Sequence, residues 1–136
     1  VIAANMRDPK RNMIVVAAAG PASNLLMALL WAVVYRAMLG WDQPQLGLRQ
    51  FLLSMSQIGL QFNVLLAVFN LIPIPPLDGG RVLRGLLPER YGQKLDAGER
   101  WGLILVMLLL TFGVLGWLVL PVMSWFIDLI LLLVGA

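Results

Sequence analysis

Long uncharged stretches separated by short basic segments set the pattern of this chain. From Met13 to Leu39 run 27 residues in which only Arg36 is charged. At ~1.5 Å per residue a helix of this length reaches about 40 Å, more than the ~30 Å hydrocarbon core of a bilayer. It is also too long for a signal peptide, and Pro21 is misplaced for one. Small residues at spacing four (Ala18 and Ala22, Gly20 and Asn24, Ala28 and Ala32) predict a face for close helix packing. Phe51 to Ile72 is a second uncharged span of 22 residues. Its Ser54, Ser56, Gln57, Gln61, Asn63 and Asn70 are expected to face the interior of a bundle. Residues 101–120 predict a third span. The 14 residues from Pro121 to Val134 are apolar except for Ser124 and Asp128. They are short for a crossing, so an interfacial or re-entrant helix is expected, or a fourth span where the bilayer is thin.

Composition turns these spans into a class. Of 136 residues, 60% are hydrophobic and 12% charged, with mean hydropathy +0.87; soluble domains carry about 25% charged residues. The expectation is an all-α, polytopic integral membrane bundle, residues 1–136 forming a single transmembrane domain. There is no cysteine, which excludes disulfides and thiolate metal sites, and no histidine. The net charge of +3 is spread over several loops and suits membrane orientation; nucleic acid is not an expected partner. Arg7, Lys10 and Arg11 precede the first span, and Arg81, Arg84, Arg90, Lys94 and Arg100 follow the second. Between those spans Arg49 is the only basic residue. The positive-inside rule therefore places residues 1–12 and 81–100 on the cytoplasmic side, in the cell membrane. Trp31, Trp41, Trp101, Trp117 and Trp125 read as interface anchors. A start at Val1 and an apolar end at Ala136 lead us to expect a piece of a longer protein.

One acid stands out. No Asp, Glu, Lys or Arg lies between Phe51 and Leu77, and then Asp78 follows Pro73, Pro75 and Pro76 and precedes Gly79 and Gly80. A charge at membrane depth costs at least ~2.5–3.5 kcal/mol on insertion scales, so an acid there is a functional candidate. The prolines and glycines predict one broken helix, and irregular backbone survives in a membrane only inside protein or beside a wet cavity. A metal, proton or ion site is one reading. The other is a helix-start aspartate that meets the helix dipole and pairs with Arg81 or Arg84. Asp128 has no Gly-x-Gly-Asp pattern around it, nor has Asp78. An interfacial Asp128 is therefore expected, not a pair of acids sharing a proton.

The segment Asn70-x-x-Pro73-x-Pro75-x-x-Asp78-Gly79-Gly80, followed by Arg81-Val82-Leu83, resembles the Asn-Pro-Asp-Gly segment of the site-2 protease family of intramembrane zinc metalloproteases. Gly20-Pro21-Ala22-Ser23-Asn24 resembles that family's Gly-Pro-x-x-Asn segment, in the same order and at a matching separation. The likeness runs from about Asn5 to the last span. It implies Asp78 as the third protein ligand of a catalytic zinc, beside two histidines of an upstream H-E-x-x-H helix whose glutamate is the general base. Two histidines and a carboxylate leave zinc a fourth position for water. Asn70 would donate to the substrate backbone or the developing oxyanion, or else bond the freed backbone near Pro73. Unwound backbone at Pro73 and Pro75 would hold an extended substrate by strand-like pairing, and Gly79 and Gly80 would allow close approach. Gly20 and Pro21 are expected at a helix entry and packing contact, with Asn24 steadying the site. Because the chain has no histidine, the resemblance implies the C-terminal part of an enzyme that cleaves transmembrane proteins within the lipid bilayer, inactive by itself.

Two rival readings stand beside it. A transporter or channel module would use Asp78 on a discontinuous helix as a cation or proton site. A structural membrane subunit would salt-bridge Asp78 to Arg81 or Arg84. An H-E-x-x-H helix upstream would favour the protease and an inverted copy of the broken span the transporter; no internal repeat is present in this chain.

Overall fold

The computed structural model describes residues 9–42, 47–74 and 77–136, which form helices with no strand among them. In chain order these are α1 (Pro9–Leu39), α2 (Leu48–Asn70), α3 (Asp78–Leu86), α4 (Glu89–Ala97), α5 (Glu99–Thr111) and α6 (Val114–Val134). Three of them, α1, α2 and α6, are long and apolar enough to cross a membrane.

α1 and α2 form an antiparallel pair whose register is fixed at two levels, with a third contact from α1 to α3. At one end the Arg49 guanidinium donates through Nε to the Met38 carbonyl at 3.0 Å. In the middle, Trp31 sits on Gly59 so closely that a Cβ there would lie 2.6 Å from three indole atoms. At the other end Gly20 meets Asp78 of α3. The buried face of α1 consists of small residues, Ala17, Pro21, Ala28 and Ala32. Opposite them α2 buries Ser56, Leu60, Asn63, Val64, Ala67 and Val68, a stripe at helical spacing. α2 is the central helix: 39% of its most apolar stretch is buried, against 17% for α1 and 11% for α6. Val106 of α5 and Leu115, Val119 and Ile130 of α6 close the core. Trp101, Phe112, Trp117, Trp125 and Leu132 point outward, as surfaces facing lipid do.

Several elements differ from the sequence expectation. The stretch 101–120 is two helices, parted where Gly113 adopts a left-handed conformation (φ 74). The third long apolar helix is thus 114–134, and Pro121 lies inside it rather than opening a separate helix at 121. Gly20 and Pro21 likewise fall within α1, which begins at Pro9, so they are not a helix entry. An interior proline removes one helix hydrogen bond, and membrane-type helices tolerate this where neighbours satisfy the freed group. Of the predicted small-residue pairs, Ala28 and Ala32 are fully buried while Ala18 and Ala22 are exposed. Trp31 is half-buried against the core rather than an interface anchor.

The polar residues of α2 divide in the same way. Ser56 and Asn63 are buried and bond their own helix, to the carbonyls of Leu53 (2.9 Å) and Gly59 (2.7 Å). Ser54, Gln57 and Gln61 are exposed. At the segment expected to break one helix the chain has two elements, α2 and α3, with 71–77 between them.

Candidate functional site

Asp78 is the first residue of α3, preceded by Leu77 in extended conformation (φ −69, ψ 160). The Leu77 carbonyl accepts from the amides of Gly80 (3.0 Å) and Arg81 (3.2 Å), which starts the helix. A carboxylate in a first helical turn is favoured by the exposed amides there. Gly79 and Gly80 are buried. Gly79 lies so close to the carbonyls of Leu71 and Ile72 that any Cβ would collide with backbone. This contact folds α3 back against the end of α2 and needs glycine at that position.

The fold-back carries the Asp78 side chain to α1. A Cβ on Gly20 would stand 2.6 Å from Oδ2 of Asp78. The two sequence motifs, 58 positions apart, therefore meet at one point, where a carboxylate rests on a bare stretch of helix backbone. Gly20 lies nine residues from Arg11, so the contact is about 14 Å along α1 from that basic end.

The carboxylate is lightly engaged. Its nearest cation is Nη1 of Arg81 at 3.9 Å, with the two side chains 60% (Arg81) and 26% (Asp78) exposed. Such a loose, solvated pair is worth about 0–1 kcal/mol. No donor among the described residues hydrogen-bonds to Asp78. Arg84, the other expected partner, turns away. Its Nη2 meets Oε1 of Glu89 at 2.9 Å and its Nε meets Oδ2 of Asp96 at 3.1 Å. The hydrogen bond to Glu89, with further help from Asp96, raises the Arg84 pKa above its ordinary value. Sequence reading missed this clamp, whose signal was two acids at spacing seven on the next helix with Gly92 between them.

The remaining candidates lie on α1, at the end of α2, in the turn after it and on α6. Pro21 is buried in α1 and Asn24, one turn after Gly20, is half-buried. Asn70 closes α2 and is half-buried; neither asparagine side chain has a hydrogen-bond partner among the described residues. Pro73 is exposed in the turn after α2, where the Ile74 amide donates to the Ile72 carbonyl at 2.8 Å. Pro75 lies outside the described residues. Asp128 is exposed on α6 beside Ile127, which lines a cavity with Tyr35. Tyr35 is fifteen residues from Gly20, about 22 Å along α1, so the two acids do not share a proton.

As a metal centre the donor set is partial. Asp78 offers a hard oxygen ligand with lone pairs uncommitted to any strong partner. Among the described residues no group of three His, Cys, Asp or Glu side chains gathers to hold a metal. By its chemistry a single carboxylate of this kind is suited to at most one ligand position of a metal site.

Together these features describe a helical membrane protein with an acid-bearing site between its helices. Residues 41–114 match the family model for peptidase family M50. That is more than half of the chain, which belongs to this family, the site-2 proteases. It is 31% identical over 135 residues to "Putative zinc metalloprotease YwhC" of Bacillus subtilis, covering 96% of the chain and 60% of the relative. It is 32% identical over 101 residues to "Putative zinc metalloprotease Rip3" of Mycobacterium tuberculosis, covering 72% of the chain and 24% of the relative. Zinc metalloprotease MJ0392 of Methanocaldococcus jannaschii is 42% identical over 55 residues, 39% of the chain and 16% of the relative. No solved structure matches the chain significantly.

Proposed function

We propose that this chain carries the aspartate-bearing part of an intramembrane zinc metalloprotease site, with Asp78 as a zinc ligand. The observation that carries the reading is the meeting of the two motifs, the Asp78 carboxylate lying on Gly20 of α1. Membership of a peptidase family and the zinc in its relatives' names support it over an ion-handling module. The two nitrogen ligands and the general base come, in this proposal, from an H-E-x-x-H helix outside the 136 residues.

Zinc held by Asp78 would supply a water of lowered pKa and polarise the scissile carbonyl. The residues of this chain prepare that chemistry. Asp78 presents its carboxylate from a helix start, and Gly20 leaves room for it. Asn70, at the end of α2 with its amide unengaged, donates to the substrate backbone or to the developing oxyanion. The non-helical segment 71–74, with Pro73 exposed, is the surface this proposal assigns to an extended stretch of a transmembrane substrate, and the motif assigns Pro75 to the same role. Pairing of this kind holds the scissile bond out of a helix, where its own backbone would shield it. The setting is the cell membrane, with residues 1–12 and 81–100 on the cytoplasmic side.

The test is Asp78→Asn in the intact protein, assayed for zinc content and for cleavage of a transmembrane substrate. Loss of both is expected. Wild-type zinc content in this variant would sink the ligand assignment.

A further inference from the structure

We infer that Arg84 is a positioning residue for Asp78, acting as a latch that pins α3 onto α4. The inference rests on the reading of Asp78 as a metal ligand. α3 is short, nine residues, and non-helical residues flank it at 71–74, at Leu77 and at 87–88. At its start, Gly79 and Asp78 touch the backbone of Leu71–Ile72 and Gly20, contacts that set position without a strong polar bond. Its other end is held quite differently. Arg84 points its Nε to Asp96 at 3.1 Å and its Nη2 to Glu89 at 2.9 Å, with Nη1 at 3.4 Å from the second Glu89 oxygen.

The seat for this guanidinium is built into α4. Glu89, Gly92 and Asp96 fall on one face of α4 by helical spacing, and Gly92 is buried beneath the guanidinium. A Cβ at Gly92 would lie 2.5 Å from Nη1 and 2.9 Å from Cζ of Arg84. The Arg84 side chain is only 15% exposed, although both acids are more than half exposed. The planar fork therefore lies flat on bare helix with an acid at each side, an arrangement that lysine cannot reproduce. The opposite face of α4 keeps its own charges apart from the latch, with Arg90 4.6 Å from the centre of the Tyr91 ring. Asp78 and Arg84 are six residues apart on one helix, so a tilt at the latch moves the carboxylate at the far end.

The experiment uses the intact protein in detergent and compares Arg84→Ala, Arg84→Lys, the pair Glu89→Gln with Asp96→Asn, and Asp78→Asn. Two readouts are taken: zinc affinity by competition with a chelator, and hydrogen exchange at the Gly80 and Arg81 amides in zinc-stripped protein. Arg84→Ala and the paired acid variant should weaken zinc affinity about 10–100-fold, the range for residues that orient a ligand. They should also speed exchange at both amides. Arg84→Lys should recover part of each loss. Wild-type exchange in Arg84→Ala would overturn the latch, as would fast exchange with zinc affinity unchanged while Asp78→Asn loses zinc. An Asp78→Asn protein that keeps its zinc would overturn the ligand reading instead, and the exchange data would still judge the latch without metal.

Discussion

Gly20→Ala separates the geometry of the site from the stability of the bundle. The added Cβ would stand 2.6 Å from Oδ2 of Asp78. Ordinary contact begins at 3.4 Å, so the oxygen must retreat by 3.4 − 2.6 = 0.8 Å or α1 and α3 must part. The carboxylate is the end of a partly exposed side chain and can rotate, which keeps the steric cost low. Against it stands a gain of up to ~1 kcal/mol from replacing glycine with alanine inside a helix. The net change in stability should lie within about 1 kcal/mol of zero. Chemistry is less forgiving, since a misplacement near 1 Å costs about 10²-fold in rate. Thermal unfolding and cleavage of a transmembrane substrate should both be measured on purified intact protein. The expected outcome is a melting temperature close to wild type with cleavage down about a hundredfold. Wild-type cleavage would refute the claim that the Asp78 carboxylate works where it touches Gly20.

Two further substitutions test the frame that holds this contact. Gly59→Ala drives a Cβ to 2.6 Å from three atoms of the Trp31 ring, half-buried between α1 and α2. It should destabilise by about 1–3 kcal/mol, the usual cost of overpacking, seen as a lower melting temperature with Trp31 fluorescence altered. Gly113→Ala meets no atom within 4 Å but must hold φ +74 between α5 and α6. It should cost about 1–2 kcal/mol through backbone strain alone. An unchanged melting temperature would mean that the break between α5 and α6 lies elsewhere.

What the sequence revealed and what it hid follow from the kind of signal each residue leaves. Asp78 was legible because a lone acid after 28 uncharged residues has few bland explanations. Its meeting with Gly20 was approachable through the paired motifs, since small residues mark places where backbones come close. Pro21 and Pro121 misled, because proline signals a helix boundary in water but is tolerated inside membrane-type helices. Gly113 was the true break and left no pattern, for one glycine among apolar residues looks the same in a helix and at its end. Trp31 looked like an anchor because composition cannot tell a ring at the lipid surface from one seated on Gly59. Arg84 was visible as a charge, but its choice of Glu89 and Asp96 over Asp78 depends on how α4 folds back.

The central claim, that Asp78 ligates zinc, is tested most directly by changing the ligand atom. X-ray absorption at the zinc edge should be recorded on the intact protein and on Asp78→Cys, within a background free of other cysteines. The account predicts that the variant gains a zinc–sulfur distance of about 2.3 Å in place of an oxygen at about 2.0–2.2 Å. A zinc shell unchanged by the substitution, with no sulfur at bonding distance, would contradict it.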